Sequence, residues 1–288
     1  MNTNESRKTV NDLITERIMA MLEQGAAPWQ KPWRVASQMP CNLISGKPYR
    51  GINVFLLHAM QYASPFWLTF KQAQALGGNV RRGEKAMPVV FWKKLETEDE
   101  QTKETKAAFI LRYYHLFNLS QVENVKREAT APPTEEGKPT PADEIVANMP
   151  NRPAIKHGFR ACCYCPHTDE IQMAAASSFA TAADYFSTIY HEMTHASGAK
   201  TRLNRPTLTA SAGFGSNSYC KEELIAEMGA AFLCGEAGIF ERTVNNSTAY
   251  LQGWLQALDN DRSLIITAAA QAQKAADYIL NRKPAIKE

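Results

Sequence analysis

Three residues in the stretch 188–195 have the types and spacing for hydrolytic chemistry: His191, Glu192 and His195, an H-E-x-x-H element. A helix advances about 100° per residue, so two histidines one turn apart present both imidazoles on one face, where a single divalent metal can sit. The metal lowers the pKa of a water to roughly 7, and a carboxylate beside it takes the proton, leaving a nucleophile able to attack a peptide carbonyl. Glu192 is the residue in that place, and the chemistry is that of a zinc hydrolase.

The surrounding pattern supplies the helix. Thr181 and Asp184 form a capping box, Tyr185, Ile189, Met193 and Ala196 supply a buried side, and Gly198 is placed to end the helix. A third protein ligand is still needed. The longer pattern H-E-x-x-H-x-x-G-x-x-H would put a histidine at 201, but the residue is Thr201, so that subclass is excluded. The stretch 221–233 offers a second helix, with an apolar stripe of Leu224, Ile225, Met228, Ala231 and Phe232. Glu223 and Glu227 fall one turn apart on another face. Glu223 is expected to ligate the metal, with Glu222 as the weaker alternative, and Glu227 to orient a histidine through its second ring nitrogen. Such acids usually make a solvated helix face, but two helices that suit one site favour the metal.

At 288 residues the chain is long enough for two domains. A domain over 1–127, a linker over 128–142 rich in Pro, Glu and Thr, and a domain over 143–288 are expected. No apolar run approaches the roughly 20 residues that span a bilayer, and the polar start is no secretory signal, so no membrane partner and a cytoplasmic location are expected. Cys41, Cys162, Cys163, Cys165, Cys220 and Cys234 show no disulfide framework. Cys162 and Cys165 form a lone C-x-x-C, and a structural zinc normally needs a second pair. In the C-terminal part, 156–166 and 169–173 read as a hairpin able to pair with an extended substrate, 202–218 as a loop, and 250–258 and 263–280 as closing helices. Tyr219 is placed either to assist an oxyanion or to be packed.

Charge is unevenly divided. The chain carries a net +3, yet residues 1–95 hold 13 Lys and Arg against 5 Asp and Glu, and four of the five tryptophans precede residue 100. This half reads as a small α+β module: a helix over 10–23, a short apolar helix after Asn53, a helix opened by Trp67 that stops at Gly77 and Gly78, and strands over 87–94 and 107–117. Cations follow phosphates and aromatic rings stack on bases, so interleaving the two suits single-stranded nucleic acid. The residues singled out for that surface are Trp29, Lys31, Trp33, Arg34, Tyr49, Arg50, Lys71, Arg81 and Arg82. Trp29 and Trp33, in a proline-rich segment, are expected to be exposed for stacking, and Trp67 and Trp92 to be core. No RNP sequence or helix-turn-helix is present.

With these residues in view, the chain resembles the ArdC-type antirestriction proteins of conjugative plasmids. The likeness rests on Pro28-Trp29 with Lys31-Pro32-Trp33, Tyr49-Arg50-Gly51-Ile52-Asn53, Trp67-Leu68-Thr69-Phe70-Lys71-Gln72 and Gly78-Asn79-Val80-Arg81-Arg82-Gly83-Glu84 in the first half. In the second half it rests on His191-Glu192-Met193-Thr194-His195, Arg202-Leu203, Glu222-Glu223-Leu224-Ile225-Ala226-Glu227 and Gln273-Lys274-Ala275-Ala276-Asp277-Tyr278-Ile279-Leu280. The resemblance implies an α+β protein of two domains: a basic module that binds single-stranded DNA, with double-stranded DNA as a further partner, and a gluzincin-type zincin-like metallopeptidase domain similar to the Spartan and ImmA/IrrE groups. It implies Zn2+, or another divalent such as Mn2+, on His191, His195 and Glu223, with Glu192 as base. The implied role is to shield incoming plasmid DNA from host restriction enzymes during conjugation. Two other readings are a DNA-recruited protease of an unidentified host protein and a DNA-coating protein whose metal is structural.

Overall fold

The structure, a computed structural model, describes residues 8–25, 27–29, 39–98, 105–125, 140–210, 217–239 and 248–282. The first element among the described residues is helix α1 (Val10–Glu23), started by a capping box in which Thr9 and Asp12 satisfy each other's backbone N–H groups. Its Ile14, Ile18 and Leu22 are buried. A four-stranded sheet follows, in the order β1-β2-β5-β4, from β1 (Cys41–Asn42), β2 (Phe66–Thr69), β4 (Met87–Glu98) and β5 (Thr105–Asn118). Helices α2 (Ile52–His58) and α3 (Phe70–Ala75) lie between these strands, and β3 (Asn79–Val80) pairs with β6 (Val122–Glu123).

Two expectations change here. Trp67 opens no helix: Trp67 to Thr69 pair with Asn118 to Leu116 in β5, and the helix starts at Phe70, three residues later, capped by Thr69 and Gln72. Phe66, Trp67 and Leu68 are bulky residues that suit a half-buried sheet, and a capping box begins only where its Thr stands. The long strands β4 and β5 also run well beyond 94 and start before 107.

The expected linker over 128–142 lies outside the described residues up to 139; α4 (Ala142–Asn148) and a small sheet of order β7-β9-β8 come next, from β7 (Ala154–His157), β8 (Cys163–Cys165) and β9 (Glu170–Met173). The hairpin is therefore β8–β9 alone, turned at Asp169 with φ +52°, while β7 adds to the far side of β9 in parallel. Helix α5 (Ala182–Ser197) carries the H-E-x-x-H element, and the expected loop after it contains the short α6 (Pro206–Thr209). Helices α7 (Asn217–Glu236), α8 (Thr248–Asn260) and α9 (Leu264–Ile279) complete the domain.

Helix α7 is the centre of the molecule. Leu224, Ala226, Met228, Ala230, Ala231, Phe232, Leu233 and Cys234 are each at most 1% exposed, so it is apolar nearly all round, as a helix surrounded by others must be. Gly229 explains how closely α5 approaches it: a Cβ there would stand 2.5 Å from Thr194 Cγ2. Only glycine lets the backbone of α7 reach the helix that carries the histidines.

The two domains share one core. Trp29 is 1% exposed, edge-on to Trp254 at 5.4 Å and to Phe55 at 6.3 Å, and Phe55 stacks on Phe232 at 4.7 Å. Arg50 pairs with Asp277, and the Gly51 N–H donates to Gln273 Oε1. The blocks 49–53 and 273–280 thus meet across the domain interface.

Candidate metal centre

His191 and His195 stand one turn apart on α5, whose first turn is fixed by the expected Thr181–Asp184 capping box. The expected glycine stop at Gly198 has a different basis. Its φ of −79° is ordinary for any residue, but a Cβ there would lie 2.6 Å from Arg205 Nη2. The glycine makes room for an arginine.

Facing these histidines, α7 presents Glu222, Glu223 and Glu227. The His191 and His195 Nε2 atoms are 3.1 Å apart, and the Glu223 carboxylate lies 3.5 Å from the first and 3.4 Å from the second. Among the described residues these three form the cluster able to hold a metal ion, all ligand atoms falling within 4.8 Å of one another. A tetrahedral centre with bonds of about 2.05 Å has ligand-to-ligand edges of about 3.3 Å; the two imidazole nitrogens stand near that spacing, and each has one of the two Glu223 oxygens at a similar distance, Oε2 facing His191 and Oε1 facing His195. Two imidazoles and one carboxylate are also the donor set of catalytic zinc sites that keep an open position.

The other ring nitrogens show why Nε2 is the free one. His195 Nδ1 lies 3.2 Å from Glu222 and His191 Nδ1 lies 3.5 Å from Glu227. A carboxylate at Nδ1 keeps the proton there and leaves the Nε2 lone pair for the metal. Glu222, expected as the weaker alternative ligand, lies against His195 Nδ1, and Glu227, expected to orient a histidine, lies against His191 Nδ1.

Glu222 is in turn held by Arg205, whose Nε donates to it at 2.8 Å, and by the Thr207 hydroxyl. Arg205 is 3% exposed and Glu222 equally so. Burial alone would raise the Glu222 carboxyl, but Arg205 and His195 outweigh it and hold it down at about 2. Burial would likewise lower His195 and raise Glu223; the acids around the first lift it to about 10, so a cation binding at Nε2 would displace the proton held there, and the two histidines depress the second below the usual carboxylate range. The site is therefore a set of mutually compensating charges. Sequence spacing did not reveal Arg205: it comes from the segment expected as loop, and the glycine at 198 was the single local sign of it.

Glu192, 7% exposed, reaches the small sheet, where its Oε2 accepts the N–H of Tyr164 at 2.7 Å. Tyr164 is the middle residue of β8, an edge strand of its sheet. The Tyr164 hydroxyl donates to Asp169, which also receives both Nη atoms of Arg202 at 2.8 Å. The Arg202 bridge braces the turn that carries β8 over the centre. Tyr219 lies within the first turn of α7 rather than before it.

The residues singled out for nucleic acid are more dispersed. Trp29 is corrected to core, because Trp254 and Phe55 cover a ring whose burial is worth more than its exposure. Trp92 is the reverse: expected in the core, it is 52% exposed, while Trp67 is buried as expected. Tyr49 is half-buried beside Asn42, the guanidinium of Arg50 is taken by Asp277, and Arg81 pairs with Glu84. Lys71 and Arg82 are exposed. Lys31, Trp33 and Arg34 lie outside the described residues. No helix among the described residues is long and apolar enough to cross a membrane.

Comparison with known proteins gives two domain matches. Residues 8–117 match the family model for the N-terminal domain of anti-restriction factor ArdC, and residues 141–271 match that for a zincin-like metallopeptidase. The chain is 36% identical to the metal-free crystal structure of the antirestriction ArdC protein from R388 plasmid, with a TM-score of 0.79 over 96% of this chain and 100% of that one. The Mn(II)-bound structure of the same protein gives 35% identity and a TM-score of 0.76 over 95% of this chain and 98% of that one. An uncharacterized protein, y4eC of Sinorhizobium fredii (strain NBRC 101917 / NGR234), is 34% identical over 97% of this chain and 95% of its own length. A DNA primase TraC of Escherichia coli is 36% identical over 96% of this chain, which spans 27% of that longer protein.

Proposed function

Because the chain belongs to the ArdC antirestriction family, we propose that it binds single-stranded DNA through its N-terminal domain, shields incoming plasmid DNA from host restriction enzymes during conjugation, and carries a divalent-metal peptidase centre in its zincin-like domain. The observation that carries the enzymatic half is the triangle of His191, His195 and Glu223 with Glu192 at its side. Zn2+ suits two imidazoles and a carboxylate, and Mn2+, which the R388 relative binds in one crystal form, is the alternative occupant. The cation when bound would supply Lewis acidity toward a carbonyl and a nucleophile at neutral pH.

The chain's own groups do the rest. Glu222 and Glu227 hold the imidazoles in one tautomer, and Glu192 accepts a proton from the attacking water while it is aligned by the Tyr164 N–H. The outer edge of β8, whose Tyr164 N–H is taken by Glu192, is the strand edge beside the base to which an extended peptide would be brought. That edge, next to the base, favours a second reading, in which DNA recruits the protein to cleave a host DNA-bound protein.

For the DNA half, the support is the cationic N-terminal half of the sequence and the likeness to an antirestriction protein and to a primase. The full chain should bind a fluorescent 20-nucleotide single strand more tightly than the matching duplex, and log affinity should fall linearly with log salt. Equal affinity for both forms, or none at low salt, would remove single-stranded DNA from the function.

A further inference from the structure

The β4–β5 ribbon holds several of the large apolar side chains that the described residues leave exposed, Trp92 and Tyr114 among them. Directly opposed residues in an antiparallel pair share a face, and that face recurs every second residue. The register pairs Val89 with Tyr114, Phe91 with Arg112 and Lys93 with Ile110. One face of the ribbon therefore presents Tyr114, Phe91, Arg112 and Lys93 together.

Within that face the Phe91 and Tyr114 rings lie parallel, centroids 4.3 Å apart and planes 6° from each other. Tyr114 is 54% exposed, and Arg112 and Lys93 are exposed as well. No acid stands on this face between 89 and 93 or between 110 and 114. Flat rings already stacked in parallel and flanked by two cations are complementary to bases on an anionic backbone, a chemistry indifferent to sequence. A second copy of the chain added edge-on to β4 is disfavoured at Val90, whose N–H and C=O are both occupied by the Asn53 side-chain amide at 2.8 and 2.7 Å.

We propose that the face formed by Tyr114, Phe91, Arg112 and Lys93 is where bases of a single DNA strand stack, with the two cations meeting its phosphates. The inference rests on the single-strand reading above and assigns it a surface that excludes Trp29. It is tested on the full chain by fluorescence anisotropy with labelled oligothymidine. Phe91→Ala with Tyr114→Ala should weaken binding about tenfold or more, and Lys93→Gln with Arg112→Gln should flatten the salt dependence. Phe91→Leu with Tyr114→Leu keeps apolar volume without the rings, so it decides the matter if the alanine pair fails to fold, and it should show the same loss. If the wild type binds and the leucine pair binds within about twofold of it, this face is not the stacking surface. If the wild type does not bind at all, the single-strand reading itself fails. Light scattering that shows a dimer dissociated by the leucine pair, with DNA affinity unchanged, would assign the face to self-association and overturn the proposal.

Discussion

Replacing Glu192 with Gln is expected to slow peptide-bond hydrolysis by about 10²- to 10⁴-fold, the contribution of a positioned base, while the fold and the bound metal remain. The geometry makes the substitution clean. Glu192 contributes no oxygen to the metal triangle, and its one described contact is acceptance of the Tyr164 N–H. A Gln carbonyl oxygen accepts the same hydrogen bond, so β8 stays where it is, but the neutral amide has no basicity for the proton of an attacking water. The rate is read with a quenched-fluorescent peptide mixture and metal-loaded protein. An E192Q protein that hydrolyses at the wild-type rate would show that Glu192 is not the base. If E192Q lacks hydrolysis but still protects DNA from restriction, the peptidase chemistry is separate from the protection.

Arg205→Met should be the most damaging change at a residue that never touches the metal. Arg205 is buried and gives its guanidinium to Glu222, to the Ser197 hydroxyl and to the Thr194 carbonyl. Removing it leaves the Glu222 carboxylate buried without its main partner, at a cost of about 3–5 kcal/mol. Glu222 then no longer holds His195 Nδ1 in place, and loss of such an orienting group lowers metal affinity about 10- to 100-fold. Urea unfolding and metal titration measure the two effects. In the double change Arg205→Met with Glu222→Gln, part of the stability should return, because the uncompensated charge is gone. A single variant within about 1 kcal/mol of wild type would mean the pair is not what shapes the site.

What could be read before the fold was known follows the range of the interactions. His191, His195, Thr181 and Asp184 interact within one or two helical turns, so their spacing alone places them, and Glu223 and Glu227 share a helix period in the same way. Arg205 reaches Glu222 from 17 positions away, and nothing periodic announces that. The tryptophans illustrate a second limit. Trp29 sits among prolines, which suggested exposure, but it is the wedge between α2 and α8. Trp92 lies in an alternating strand, which suggested a core, but its side chain is 52% exposed. Alternation identifies two faces of a strand and does not say whether anything is packed on either. Arg50 was grouped with DNA-binding cations by charge, and Asp277, 227 positions later, claims it. The β7-β9-β8 order escaped the sequence for the same reason, since a hairpin signal specifies β8 and β9 but is silent about which edge a third strand joins.

The central claim is that His191, His195 and Glu223 hold one divalent cation, and equilibrium dialysis of the metal-stripped chain against Mn2+ and then Zn2+ addresses it most directly. One equivalent should bind to the wild type and to the E192Q protein, while His195→Ala and Glu223→Ala should retain none at the same free metal concentration. Wild-type protein that binds no stoichiometric metal, or a Glu223→Ala variant that binds as tightly as wild type, would contradict the account.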